Sequence, residues 1–214
     1  MAVTRYAGRS CLRPPGSPRI RPAADPSHRA PRTRVTRAKS GIFVFAPIGG
    51  DVGARIATLQ RRYDPRLGGL GQAPHVTLVG SSGMGPIAPD TTREELLERL
   101  GPIAAETAPI PLRFGRPTRF MQTQIVVLPL DPHGPLRTLH ERIKTAGLRA
   151  ARPRFFFTPH VTLNLYRELP PDLLAALLVE RFDDAVTIDS IAVHLTRDTG
   201  EWRELLMLRL DGGA

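Results

Sequence analysis

The chain has 214 residues, of which 41% are hydrophobic and 23% charged, a composition typical of a globular protein with enough volume for a core. No apolar run approaches the roughly 20 residues that a membrane-spanning helix needs, so we predict no membrane segment. The one cysteine, Cys11, excludes an intramolecular disulfide and a multi-cysteine zinc site. These features are typical of a reducing compartment, and we expect a cytoplasmic protein.

The formal charge of +10 is concentrated at the start of the chain. Residues 1–40 contain nine arginines, one lysine and one acidic residue, which leaves 20 basic and 19 acidic side chains in residues 41–214. Residues 1–40 are also rich in proline and poor in large apolar side chains, so we predict a disordered basic tail. The nearly neutral remainder argues against binding of a long nucleic-acid duplex, which requires an extended basic surface.

The first half of the remainder alternates between strand and helix patterns. Residues 41–48 (GIFVFAPI) are rich in aromatic and β-branched side chains and predict a strand, and residues 51–63 have helical apolar spacing after an N-cap at Asp51. A strand at 75–80, a helix within 91–106 and a strand at 109–115 follow.

The second half repeats the same order of elements. It predicts strands at 124–130 and within 155–166, each followed by a helix, and then two strands at 185–196 and 202–210. We therefore predict an α+β domain over residues 41–214 that arose by internal duplication, with two lobes at roughly 41–115 and 124–211.

One pentapeptide marks the duplication. Pro-His-Val-Thr-Leu occurs at 74–78 and again at 159–163, at the second strand of each half. Because side chains two apart on a strand share a face, His75 lies beside Thr77 and His160 beside Thr162, with the intervening apolar residues facing the core. If the two lobes face one another about a pseudo-twofold axis, these four polar side chains meet in one cleft.

Such a cleft has the groups that are needed to cleave a phosphodiester. An imidazole titrates near pH 6.5, so one histidine can accept a proton while the other donates one. Two hydroxyl groups can donate hydrogen bonds to the non-bridging oxygens of an anionic tetrahedral centre.

The paired motif His-hydrophobic-Thr-hydrophobic resembles that of the two-histidine (2H) phosphoesterases, a superfamily that includes 2′-5′ RNA ligase-like proteins and RNA 2′,3′-cyclic phosphodiesterases. The resemblance covers residues 41 to about 210, and both motifs are intact. It implies a bilobal fold in which two antiparallel-rich sheets line a central cleft, with helices on the outside. It also implies chemistry without a metal or another cofactor.

Carried onto this sequence, the resemblance implies that His75 and His160 are the catalytic acid/base pair and that Thr77 and Thr162 hold the phosphate. For hydrolysis of a 2′,3′-cyclic phosphate we assign His160 as the base that activates water and His75 as the acid; a transesterification would reverse these roles. The implied substrate is an RNA end or a small cyclic nucleotide. We expect a monomer.

Base recognition has candidates directly ahead of the second motif, in the segment RPRFFFTPH. Phe156 or Phe157 could stack on a nucleobase and Arg154 could contact a phosphate; alternatively the phenylalanines enter the core and the arginine is solvated. The remaining histidines show no metal-ligand spacing, and we assign them no function.

Two further functions remain open beside hydrolysis. The fold could serve as an RNA- or nucleotide-binding module with little turnover, although binding alone does not need two titrating groups. The same site could also run in reverse and form 2′-5′ linkages, as a ligase does.

Overall fold

The computed structural model describes residues 40–68, 72–165, 167–197 and 202–213. The predicted disordered tail, apart from Ser40, lies outside these residues. The described strands are β1 (Gly41–Pro47), β2 (His75–Val79), β3 (Ile110–Leu112), β4 (Thr118–Arg119), β5 (Val126–Pro129), β6 (His160–Asn164), β7 (Val186–Ile188), β8 (Ser190–Thr196) and β9 (Trp202–Arg209). The described helices are α1 (Gly50–Tyr63), α2 (Pro65–Gly68), α3 (Arg93–Ala105), α4 (Pro135–Lys144) and α5 (Pro171–Leu178).

Seven strands form one antiparallel sheet in the order β4-β5-β6-β2-β1-β8-β9, and β3 pairs with β7 in a small second sheet. The predicted α+β class with antiparallel strands is confirmed. The sheets of the two halves are joined rather than separate, because β2 and β6 pair antiparallel at Val76 and Val161.

The repeat is visible in the strand pairing. In the first half Pro47 of β1 lies opposite His75, and in the second half Pro129 of β5 lies opposite His160. The last two strands depart from the predicted lobe boundary, since β8 and β9 extend the sheet beside β1 rather than beside β5. On the other side of the sheet, β4 pairs with β5 and forms the edge.

One face of the large sheet is closed by helices. Val76, Leu78, Val161 and Leu163 are fully buried on this face, in the same core cluster as apolar side chains of α1, α3 and α4. The helices begin where local signals predict: the Thr92 side chain accepts a hydrogen bond from the backbone N–H of Glu95 at the start of α3. Helix α1 begins slightly earlier than predicted, with Gly49 as its N-cap and Asp51 in its first turn.

None of the helices in the described ranges combines the length and the apolar character needed to cross a membrane.

Candidate active site

The pairing of β2 with β6 brings the two copies of the pentapeptide together. With Val76 opposite Val161, the antiparallel register places His75 beside Thr162 and Thr77 beside His160. All four side chains are half-buried and lie on the face opposite the core. The two histidines are diagonal neighbours, which are typically about 7–8 Å apart and somewhat closer between their Cβ atoms.

The two imidazole rings are held by equivalent hydrogen bonds. Nδ1 of His75 lies 2.8 Å from the carbonyl oxygen of Ala73, and Nδ1 of His160 lies 2.7 Å from that of Thr158. A carbonyl oxygen only accepts, so Nδ1 carries the hydrogen in each neutral ring and Nε2 retains its lone pair. In both copies the Nε2 atom is therefore the one left to react.

Burial keeps both rings neutral at pH 7. It lowers the pKa of His75 to about 4; the hydrogen bond to Ala73 opposes this change, and repulsion from His194 and His160 adds to it. Burial also lowers the pKa of His160, against the opposing hydrogen bond to Thr158. Both histidines are consequently proton acceptors in the unliganded protein.

An aromatic ring supports each histidine from a flanking part of the sheet. The Phe45 ring on β1 lies 4.2 Å from the His75 ring, measured between centroids. The Phe120 ring, just after β4, is nearly perpendicular to the His160 ring, with 5.2 Å between their centroids. These contacts restrict the orientation of both imidazoles.

His194 also lies on this face, although its surroundings in the sequence predicted no function for it. Its ring lies 5.5 Å from Phe45 and 6.5 Å from Trp202, and its Nε2 atom lies 3.8 Å from a carboxylate oxygen of Glu204. The register places His194 opposite Phe43 of β1. Alternation along β8 could have assigned its face, but only the pairing of β8 with β1 brings it to the site.

Two predicted substrate contacts are not brought to the histidines. Phe157 is 4% exposed and stacks on His140 with ring centroids 3.9 Å apart, so its side chain fills the core, which was the alternative to base stacking. Arg154 has an exposed side chain, and its backbone N–H donates to the carbonyl oxygen of Ser81, beyond the end of β2.

Each half of the protein fixes the strand that carries the other half's motif. Gln60 of α1 donates from Nε2 to the carbonyl oxygen of Thr162 over 2.7 Å. Nδ1 of His140 on α4 lies 2.7 Å from the carbonyl oxygen of Leu78. Both donors are buried. Val76 and Val161 are the one pair of residues in register between β2 and β6. The two side chains donate to strand carbonyl oxygens on either side of this pair, and so hold the four site residues in place.

Within the described ranges, no three or more His, Cys, Asp or Glu side chains cluster so that they could hold a metal ion.

Comparison with known proteins gives a consistent result. The profile of the 2′-5′ RNA ligase superfamily matches residues 49–200. The protein named "Putative phosphoesterase GK0864" of Geobacillus kaustophilus is 30% identical over 170 residues, covering 77% of this chain and 91% of its own length. "Putative phosphoesterase OB1230" of Oceanobacillus iheyensis is 28% identical over 167 residues, covering 77% of this chain and 93% of its own length.

The fold also matches a solved structure, that of TT0787 from Thermus thermophilus. The TM-score is 0.52 at 17% identity, over 81% of this chain and 99% of that one. This likeness concerns the fold. Because the superfamily profile matches well over half of the sequence, the chain belongs to the 2′-5′ RNA ligase superfamily.

Proposed function

We propose that the protein is a phosphoesterase that hydrolyses a 2′,3′-cyclic phosphate, or a related 2′-5′ phosphodiester, at an RNA end or in a small nucleotide. The observation that supports this most is the register of β2 against β6, which sets two histidines and two threonines on one half-buried face. The names of the bacterial relatives agree with a phosphoesterase.

In this proposal one histidine acts as the base. Its Nε2 atom takes a proton from water while the water oxygen attacks phosphorus, and the bond from phosphorus to one ribose oxygen breaks. The other histidine donates its Nε2 proton to that leaving oxygen, which gives a phosphomonoester and a free hydroxyl. The Thr77 and Thr162 hydroxyls donate to the non-bridging oxygens, where charge develops in the transition state.

The surroundings of the two histidines support one assignment of their roles. Repulsion from His194 and His160 adds to the burial that lowers the pKa of His75 to about 4. The pKa of His160 is lowered by burial and raised by its hydrogen bond to Thr158. We infer that His160 is the ring that takes up a proton when an anionic phosphate binds, because an anion raises the pKa of a neighbouring imidazole. We propose His75 as the base and His160 as the acid, the reverse of the assignment made from the sequence.

The proposal is tested by mutation and a substrate panel. The panel contains 2′,3′-cyclic nucleotides, 2′-5′ dinucleotides and an RNA with a cyclic end. His75→Ala and His160→Ala should each lower kcat by at least about 10² on the substrate that is turned over. His133→Ala, at an exposed histidine, is the control. Full activity of either site variant would place the chemistry elsewhere.

The order of acid and base is tested with a sulfur leaving group. A thiolate leaves without protonation, so a cyclic substrate with sulfur at the leaving position should restore turnover to the variant that lacks the acid. We expect restoration for His160→Ala and none for His75→Ala. The opposite pattern would reverse the two roles.

A further inference from the structure

Two consecutive aromatic side chains project into solvent just ahead of β6. Phe155 is 67% exposed and Phe156 is 94% exposed. The other large hydrophobic side chains that are exposed in the described ranges are aliphatic: Leu97, Met121, Val179 and Met207. Exposing two neighbouring aromatic rings to water is energetically unfavourable, and such pairs are typical of a surface that binds a ligand or a partner.

The backbone holds these two rings outward. The N–H of Phe155 donates to the carbonyl oxygen of Ser81 over 3.2 Å, and its carbonyl oxygen accepts from the N–H of Gly83 over 2.8 Å. The next residue, Phe157, is anchored in the core against His140. The two exposed rings therefore stand on an ordered segment, which reduces the entropy lost when a ligand binds them.

The rings border a groove of about 950 Å³ with a positive lining. Arg137, Lys144 and Arg154 line it together with one acidic residue, Glu141. Glu141 pairs with Arg137 and Lys144, whereas Arg154 forms no ion pair within the described residues. We call this surface the Phe155–Phe156 groove; it favours a ligand with both flat rings and negative charge.

One residue links the groove to the candidate active site. Thr158 lines the groove, and the carbonyl oxygen of Thr158 accepts the hydrogen bond from Nδ1 of His160. The groove therefore begins two residues before His160, along the segment that leads to Phe155 and Phe156.

We propose that the Phe155–Phe156 groove binds single-stranded RNA on the 5′ side of a terminal cyclic phosphate held by the two histidines. This inference rests on the proposed function and adds that the substrate is an RNA end several nucleotides long. Bases stack on Phe155 and Phe156, and Arg154 contacts the backbone phosphate. Stacking accepts any base, so binding does not depend strongly on sequence.

The test compares a short and a long substrate. The double variant Phe155→Ala/Phe156→Ala should raise KM for a single-stranded hexanucleotide with a cyclic end by at least about tenfold, because it removes both surfaces on which bases stack. Its turnover of a cyclic mononucleotide should equal that of the wild type. Val179→Ala, at an exposed aliphatic side chain on another element, should change neither value. Equal KM values for the hexanucleotide in wild type and double variant would overturn the proposal, and would be expected if the groove binds a protein.

A separate measurement tests whether the charge of Arg154 contributes to RNA affinity. Arg154→Gln should lower the salt dependence of hexanucleotide affinity by about 0.7 in log–log slope, the value for one lost phosphate contact on a single strand. Arg99→Gln, on α3, is the matched control. Binding is measured by anisotropy with a labelled hexanucleotide ending in a 3′-phosphate, which requires no turnover. If no cyclic substrate is hydrolysed the proposed function fails, and this binding measurement still decides for or against the groove.

Discussion

Nδ1 of His140 on α4 donates a hydrogen bond of 2.7 Å to the carbonyl oxygen of Leu78, on the strand that carries His75 and Thr77. The His140 side chain is fully buried, and its ring stacks on Phe157. A histidine with no direct access to substrate thus links a helix of the second half to the first motif, and burial lowers its pKa so that the ring stays neutral.

We expect His140→Ala to lower the free energy of unfolding by about 2–4 kcal/mol. The substitution removes a packed ring and leaves a buried carbonyl oxygen without its donor. Urea denaturation measures the loss. His140→Asn keeps a donor near the position of Nδ1 and should lose less, while His133→Ala, at an exposed histidine, should stay within about 0.5 kcal/mol of the wild type. Equal free energies of unfolding for His140→Ala and His133→Ala would show that the hydrogen bond from His140 to Leu78 does not stabilise the fold.

The pentapeptide was sufficient to predict which side chains share a face, because alternation on a strand is a local property. It could not predict that Val76 lies opposite Val161, since this register joins residues from different halves and depends on the whole sheet. The same limit explains Phe157. Three consecutive phenylalanines look alike in sequence, and only the contact with His140 distinguishes the buried ring from the two exposed ones.

The position of β8 in the sheet could not be predicted from its local sequence either. Its pattern predicts a strand but does not determine which strand it pairs with; in the structure its partner is β1 rather than β4 at the other edge of the sheet. His194 reaches the site for this reason alone.

The threonine hydroxyls give a prediction that is separable from folding. Thr77→Val and Thr162→Val keep the β-branched shape that suits a strand and should each lower kcat by about 10²–10³, the usual effect of removing one donor to a developing oxyanion. Steady-state kinetics on the active substrate measure this effect. Thr→Ser variants at the same positions retain the hydroxyl and should retain most of the activity. Equal losses in the Ser and Val variants would point to packing instead.

The pH dependence of activity should respond to His194. Burial is the main cause of the low pKa of His75 and repulsion from His194 adds to it, so His194→Gln should raise that pKa by a small amount from about 4. If His75 acts as the base, activity is lost as the pH falls through its pKa, and the acidic limb of kcat/KM should move to higher pH.

NMR titration of the His75 ring checks the shift directly. Glu204→Gln should move it in the same direction, because Glu204 raises the pKa of His194 and its loss leaves His194 less often charged. An unchanged acidic limb in both variants would mean that His194 is not electrostatically coupled to the reacting base.

Acid should destabilise the fold through the same histidine. The unfolded chain takes up a proton at His75 near pH 6.5, whereas the folded protein does so only near pH 4, so stability falls as the pH drops between these values. From pH 7 to pH 5 this one group should lower the free energy of unfolding by about 2 kcal/mol. Urea denaturation at both pH values measures the difference, and His75→Gln should remove that part of it. A variant with the full wild-type loss would show that the His75 ring is no harder to protonate in the folded protein than in the unfolded chain.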